Sequence, residues 1–242
     1  MAIFVGGSPR LKGMERKDLI GTNTAIFKNL GKALNEVGSP ECRVCVVANP
    51  ANTNCLFLSK HAPNIPKDNF SALTRLDHDR AVAQIALRTN SKVKDVEDVF
   101  VWGNHSPTQY PDARYVKVKG KPLNYREDRS YYQGEYIHTV QNRGAAIISA
   151  RALSSSMSAA NAVNNHMRDW YLGSNSTVSM GLISNDNKYN VPEDLCFSYP
   201  VKCSGNFKHQ IVEDIMIDPF SQHRIDITTQ ELLLERQQGS NR

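Results

Sequence analysis

Short apolar runs alternate with amphipathic stretches through the first half of the chain, and that alternation restricts it to an α/β architecture with parallel strands. Ala2-Ile3-Phe4-Val5 reads as a buried strand running into the turn Gly6-Gly7. A charged loop, Ser8 to Asp18, leads to a helix from Leu19 to Val37 with apolar positions at Ile26, Leu30, Ala33 and Leu34. Val44 to Val47 reads as a second buried strand, ended by Ala48-Asn49-Pro50. Ala72 to Arg88 predicts a further helix, and Val99 to Trp102 a third strand of the parallel set.

The second half changes character. Tyr136 to Leu172 predicts one long helix or a broken pair, with an Ala- and Ser-rich middle from Ala152 to Val163 that permits close packing. Thr177 to Ser184, Leu195 to Val201 and His209 to Ile217 follow as β-type runs separated by turn residues. A closing amphipathic helix is expected from Asp226 to Gln238. Strands next to turns, without intervening helices, point to an α+β unit with antiparallel pairing.

Composition narrows the function classes. The 242 residues carry 29 Lys and Arg against 24 Asp and Glu, a formal charge of +5, and the charges are interspersed. No basic run interleaved with aromatics marks a nucleic-acid surface. No apolar run approaches the ~20 residues of a membrane span, and the short apolar N-terminus has no basic stretch before it. Nucleic-acid and membrane partners are therefore not expected. Cys42 and Cys45 have the spacing of a metal or redox pair, yet they lie in Cys42-Arg43-Val44-Cys45-Val46-Val47, which reads as a buried strand, and nothing completes a zinc set. No metal is expected. A soluble protein of a reducing compartment fits these features.

Three clusters could carry chemistry. His105, in Gly103-Asn104-His105-Ser106, follows directly on the strand Val99 to Trp102, and ligands bind outside the carboxyl ends of parallel strands; the alternative is one more surface or packing histidine among seven. Asp77 and Arg80 lie three apart on one helix face. They are either a surface ion pair or a carboxylate that orients a histidine beside a cation that grips an anion. Arg10 and Arg16 share a loop, where planar guanidinium forks could close over a dicarboxylate or simply face water. Neither a G-x-G-x-x-G turn, a Walker loop nor a G-x-S-x-G elbow occurs.

The wording of several segments is more specific than any of these signals alone. Pro9-Arg10-x-x-Gly13-Met14-Glu15-Arg16-Lys17-Asp18, Asn49-Pro50-Ala51-Asn52-Thr53-Asn54, Leu73-Thr74-Arg75-Leu76-Asp77-His78-Asp79-Arg80-Ala81 and Trp102-Gly103-Asn104-His105-Ser106 occur in that order. Val140-Gln141-x-Arg143-Gly144 and Leu153-Ser154-Ser155-x-Met157-Ser158 extend the pattern. Across essentially its whole length the chain resembles the NAD-dependent malate dehydrogenases, nearest to their cytosolic branch. The resemblance implies the C-terminal part of a Rossmann-type parallel sheet over residues 1–72, a remnant of the NAD-binding domain. Residues 73–242 would be an α+β catalytic domain with antiparallel strands and a long C-terminal helix.

By the same resemblance, His105 is the acid/base that takes the malate hydroxyl proton, and Asp77 holds it in the required tautomer. Arg80 pairs with the carboxylate beside the reacting carbon, Arg16 polarises the oxaloacetate carbonyl, and Arg10 binds the far carboxylate. Asn49 contacts substrate, Val47, Ala48 and Asn49 lie along the nicotinamide ribose, and Asn23 lies near the cofactor. A cytoplasmic homodimer acting on malate and oxaloacetate is expected. Two departures stand out. Leu30 replaces a glutamine usual near the cofactor. The family's glycine-rich turn and ribose-binding acid would precede the first strand here, in a missing part of roughly 80 residues on a common domain size. The alternative to a competent enzyme is thus an inactive truncated isoform acting as a dimer partner.

Overall fold

A computed structural model describes residues 1–8 and 16–240, and the side chains of Arg16 and Lys17 fall outside that description. The elements in order are β1 (Ala2–Phe4), α1 (Arg16–Val37), β2 (Val44–Val46), α2 (Ala51–Lys60), β3 (Phe70–Ala72), α3 (Arg75–Arg88), β4 (Val96–Glu97), β5 (Phe100–Trp102) and β6 (Tyr110–Asp112). They continue with β7 (Lys117–Val118), β8 (Lys121–Pro122), α4 (Arg129–Gln133), α5 (Glu135–Arg151), α6 (Ser156–Leu172), β9 (Val178–Ile183), β10 (Cys196–Gly205), β11 (Lys208–Ile211) and α7 (Pro219–Ser240).

One mixed sheet organises the molecule, with strand order β1-β2-β3-β9-β10-β11. β1, β2 and β3 run parallel, and β9 then joins β3 antiparallel, with Ser71 opposite Leu182. The antiparallel strands of the second half therefore continue the parallel sheet. Side chains alternate between the two faces of β2, and both are covered. Val44 and Val46 point into a core with Phe27, Leu56, Leu58 and Phe70. Cys45, between them, points into the opposite core with Trp102, Tyr136, Trp170, Phe197 and Tyr199.

Several expectations are corrected. β3 and α2 are present where neither was predicted, and the helix expected from Ala72 starts at Arg75 because Ala72 ends β3. The strand at 99–102 is not parallel: β5 pairs antiparallel with β6, Trp102 opposite Tyr110. Its connection is too short for a parallel crossover, which needs a dozen residues or more. β11 stops at Ile211, ahead of the charged pair Glu213-Asp214, and Cys42 precedes β2. Finally, α7 starts seven residues early, at Pro219, because Asp218 Oδ1 accepts the Ser221 N–H at 2.8 Å and proline suits a first helical turn. The long stretch at 136–172 is a broken pair, with α5 ending at Ala152 in a left-handed conformation, φ 55°.

Candidate active site

α3 carries two of the expected residues on one face. Asp77 lies in its first turn, where the helix dipole favours a carboxylate, and is fully buried. Arg80 reaches back to Asp77 Oδ1 at 3.5 Å. The helix is anchored by Arg75, which donates to Asp79 at 2.9 Å and also pairs with Asp169 of α6.

His105 comes from the β5–β6 connection. Its Nδ1 hydrogen-bonds Asp77 Oδ2, which puts Nε2 on the far side of the ring. His105 is 22% exposed while Asp77 is 0% exposed, so the pair presents the imidazole outward and keeps the carboxylate dry. The backbone around it is pinned. Asn52, buried in α2, accepts the His105 N–H at 2.9 Å and donates to the carbonyls of Gly103 at 3.2 Å and Cys196 at 2.9 Å. Gly103 bridges Ser198 of β10 in both directions, at 3.1 and 2.9 Å. Its φ of +93° and a Thr228 methyl 2.1 Å from where a Cβ would sit make glycine obligatory there.

Behind this loop, α7 supplies a polar wall. Asn104 Nδ2 donates to Glu231 at 2.9 Å and to Glu235 at 3.1 Å, and its N–H donates to Thr228 Oγ1 at 2.8 Å. Ser106 and Thr108 also donate to Glu231, and Thr53 of α2 donates to Glu235. Asn52, Gln109, Glu231 and Glu235 escaped the sequence reading as site residues. Their one visible signal was polar type inside segments whose packing only the fold reveals.

Arg80 is nearly buried. Its Nη2 donates to Ser155 Oγ at 3.0 Å, and Gly144 of α5 leaves room beside the guanidinium. Burial draws its pKa below the ordinary arginine value and the neighbouring Arg143 adds to this, while Asp77 opposes it. Arginine remains a cation throughout. Arg80 thus adjoins the Asp77–His105 pair as a fixed positive charge.

Val47, Ala48 and Asn49 follow the carboxyl end of β2, and Asn23 lies on α1. Val47 and Ala48 both donate backbone N–H groups to Phe4 O, at 2.9 and 3.1 Å. Asn49 is exposed just beyond them. Asn23 is buried, and its carboxamide is spent on backbone: it accepts from Ser8 N at 2.7 Å and donates to the carbonyls of Ser8 at 3.0 Å and Asn49 at 3.1 Å. It fixes Asn49 from behind. The edge is open at Gly6, where a Cβ would meet nothing within 4 Å, and close at Gly7, where a Cβ would lie 3.0 Å from the Asn23 carboxamide oxygen. Arg10 lies outside the described residues, and Arg16 is described only as the first residue of α1.

The His105–Asp77 pair with Arg80 beside it is an arrangement able to move a proton next to a fixed positive charge. The chain belongs to the lactate/malate dehydrogenase family: residues 1–71 match its NAD binding domain and residues 74–242 its alpha/beta C-terminal domain. Cytoplasmic malate dehydrogenase of Homo sapiens is 51% identical over 98% of this chain and 73% of its own length. That of Medicago sativa is 49% identical over the same shares. Among solved structures, malate dehydrogenase of Naegleria fowleri superposes with a TM-score of 0.95 at 44% identity, covering 99% of this chain and 73% of that one. Trichomonas vaginalis lactate dehydrogenase in complex with NADH and oxamate gives 0.94 at 31% identity, covering 99% and 74%. Among the described residues no helix is long and apolar enough to cross a membrane.

Proposed function

We propose that the protein is a malate dehydrogenase, interconverting malate and oxaloacetate with NAD. The observation that carries this reading is the hydrogen bond from His105 Nδ1 to the buried Asp77, with Arg80 on the same helix face. Residues 1–72 form the cofactor-side part and residues 73–242 the substrate-side part. NAD, when bound, accepts or returns the hydride; Val47, Ala48 and Asn49 lie where its nicotinamide ribose would rest, and Asn23 holds Asn49 in place.

His105 takes the malate hydroxyl proton at Nε2 in one direction and gives it back in the other. An imidazole whose ordinary pKa is about 6.5 suits traffic both ways near neutrality. Asp77 keeps the Nδ1 proton in place, so Nε2 is the atom that exchanges, and it stabilises the imidazolium. Arg80 grips the carboxylate beside the reacting carbon through its planar fork. Arg10 and Arg16 complete the site, one on the far carboxylate and the other on the carbonyl oxygen. Arg10 argues for a dicarboxylate over pyruvate, because a second carboxylate needs a second cation. A homodimer is the assembly we assign.

Oxidation of NADH by the purified protein, followed by absorbance with oxaloacetate or pyruvate, tests this reading. Turnover of oxaloacetate with kcat/KM at least about 100-fold above pyruvate is expected, since pyruvate has no second carboxylate for Arg10 to pair with. Preference for pyruvate would overturn the substrate assignment. NADH binding, seen by fluorescence, without any turnover of either acid would overturn the catalytic reading.

A further inference from the structure

Asp77 Oδ2 is committed to His105, and its other oxygen has a second buried partner. Gln109 Nε2 donates to Asp77 Oδ1 at 3.2 Å and to Ser106 O at 3.0 Å. Both oxygens demand a donor, so the carboxamide has one workable orientation: the flipped form would face its own oxygen toward a carboxylate and a carbonyl. Gln109 is 3% exposed. Its backbone is held in turn, because Gln141 of α5 donates from Nε2 to Gln109 O at 2.7 Å.

We propose that Gln109 is a positioning residue for the Asp77–His105 pair, an inference that rests on the acid/base reading above. One amide group fixes both partners. Through Asp77 it sets the carboxylate plane, and through Ser106 O it sets the loop that carries the imidazole. It also shares the carboxylate's charge, so that Asp77 holds the His105 proton without trapping it. Among the described residues, charged groups near the pair include Arg80 and Asp79 on α3, with Arg143 of α5 acting on Arg80 and Asp77 acting on Asp79. Glu231 and Glu235 of α7 reach the loop through Asn104. Besides His105 itself, Gln109 joins the carboxylate to the loop.

Two variants and one spectrum test the proposal. Gln109→Met keeps the volume and removes the donor. Its kcat for oxaloacetate reduction should fall about 10- to 100-fold with KM changed less than about threefold, the scale expected when a catalytic group is displaced by an ångström or less. Gln109→Glu donates to Asp77 only while protonated, so its kcat relative to the parent should fall as pH rises, whereas a packing role gives a ratio independent of pH. The His105 imidazole carbon resonance, titrated by NMR without cofactor, should move to a higher midpoint in Gln109→Met. Should that variant fail to fold, the pH-dependent ratio of Gln109→Glu carries the test.

Parent kcat, pH profile and His105 titration in both folded variants would overturn the role of Gln109. If His105→Asn is inactive in the same assays, that failure leaves the acid/base reading standing. A fully active His105→Asn would remove both.

Discussion

Two histidines outside the site tie helices to the sheet and set how the protein responds to acid. His78 of α3 meets Ser179 Oγ of β9 at 3.1 Å, and His166 of α6 meets Ser71 Oγ of β3 at 3.0 Å. Burial, with repulsion from Arg75, pushes both down to a pKa of about 3. Their folded values lie below the unfolded one, so the unfolded chain binds the protons first. Stability is complete above about pH 6.5 and is lost as the pH falls toward 3. Urea unfolding should give about 3 kcal/mol less at pH 5.5 than at pH 7.5, from one pH unit below 6.5 at each of two sites. A flat profile across that window would contradict neutral burial. Such residues were legible only in part. Asp77 and Arg80 could be placed on one helix face from their spacing, but the partnership of Asp77 with His105 spans 28 positions and no local period joins them. It entered through the family resemblance. Asn23 was named only through the resemblance, and its bonding to Ser8 and Asn49 depends on a chain reversal that no single segment encodes.

The connection carrying His105 illustrates what elements hide. Val99 to Trp102 has the apolar content of a parallel strand, and burial of all four residues within one core gives it that content although its partner is antiparallel. Helix α2 was missed for the opposite reason. Asn52, Thr53 and Asn54 are weak helix formers and look like loop, but all three are buried and serve as fixtures, Asn52 and Thr53 toward the His105 loop and Glu235. β3 has three residues, too few for any period to register. Contact between α7 and the loop is as close as packing allows, which gives a prediction at this scale. Gly103→Ala puts a methyl into Thr228 at a positive φ, so it should cost about 2–4 kcal/mol, the sum of overpacking and backbone strain. Denaturant unfolding measures that loss, and a loss under about 0.5 kcal/mol would mean the loop is free to move off α7.

At the scale of the molecule, the alternation of runs gave the α/β class, and the later strand–turn pattern gave the antiparallel half. Their union into one sheet was not legible, because the junction is a lateral pairing of β3 with β9, about a hundred positions apart in sequence. That union matters for function: it brings α3, which leaves the end of β3, against the loop held by β10 and α7. The antiparallel half supplies the walls that keep His105 in register with Asp77.

The most direct test of the account is the rate of NADH oxidation with oxaloacetate by His105→Asn, measured beside NADH binding by fluorescence. Asparagine keeps the polarity of the position and cannot exchange a proton near neutrality. The account predicts NADH affinity within about threefold of the parent and kcat lower by about 100- to 10,000-fold, the contribution of a positioned acid/base. Parent-like turnover in His105→Asn would place the proton transfer elsewhere and contradict the role assigned to the Asp77–His105 pair.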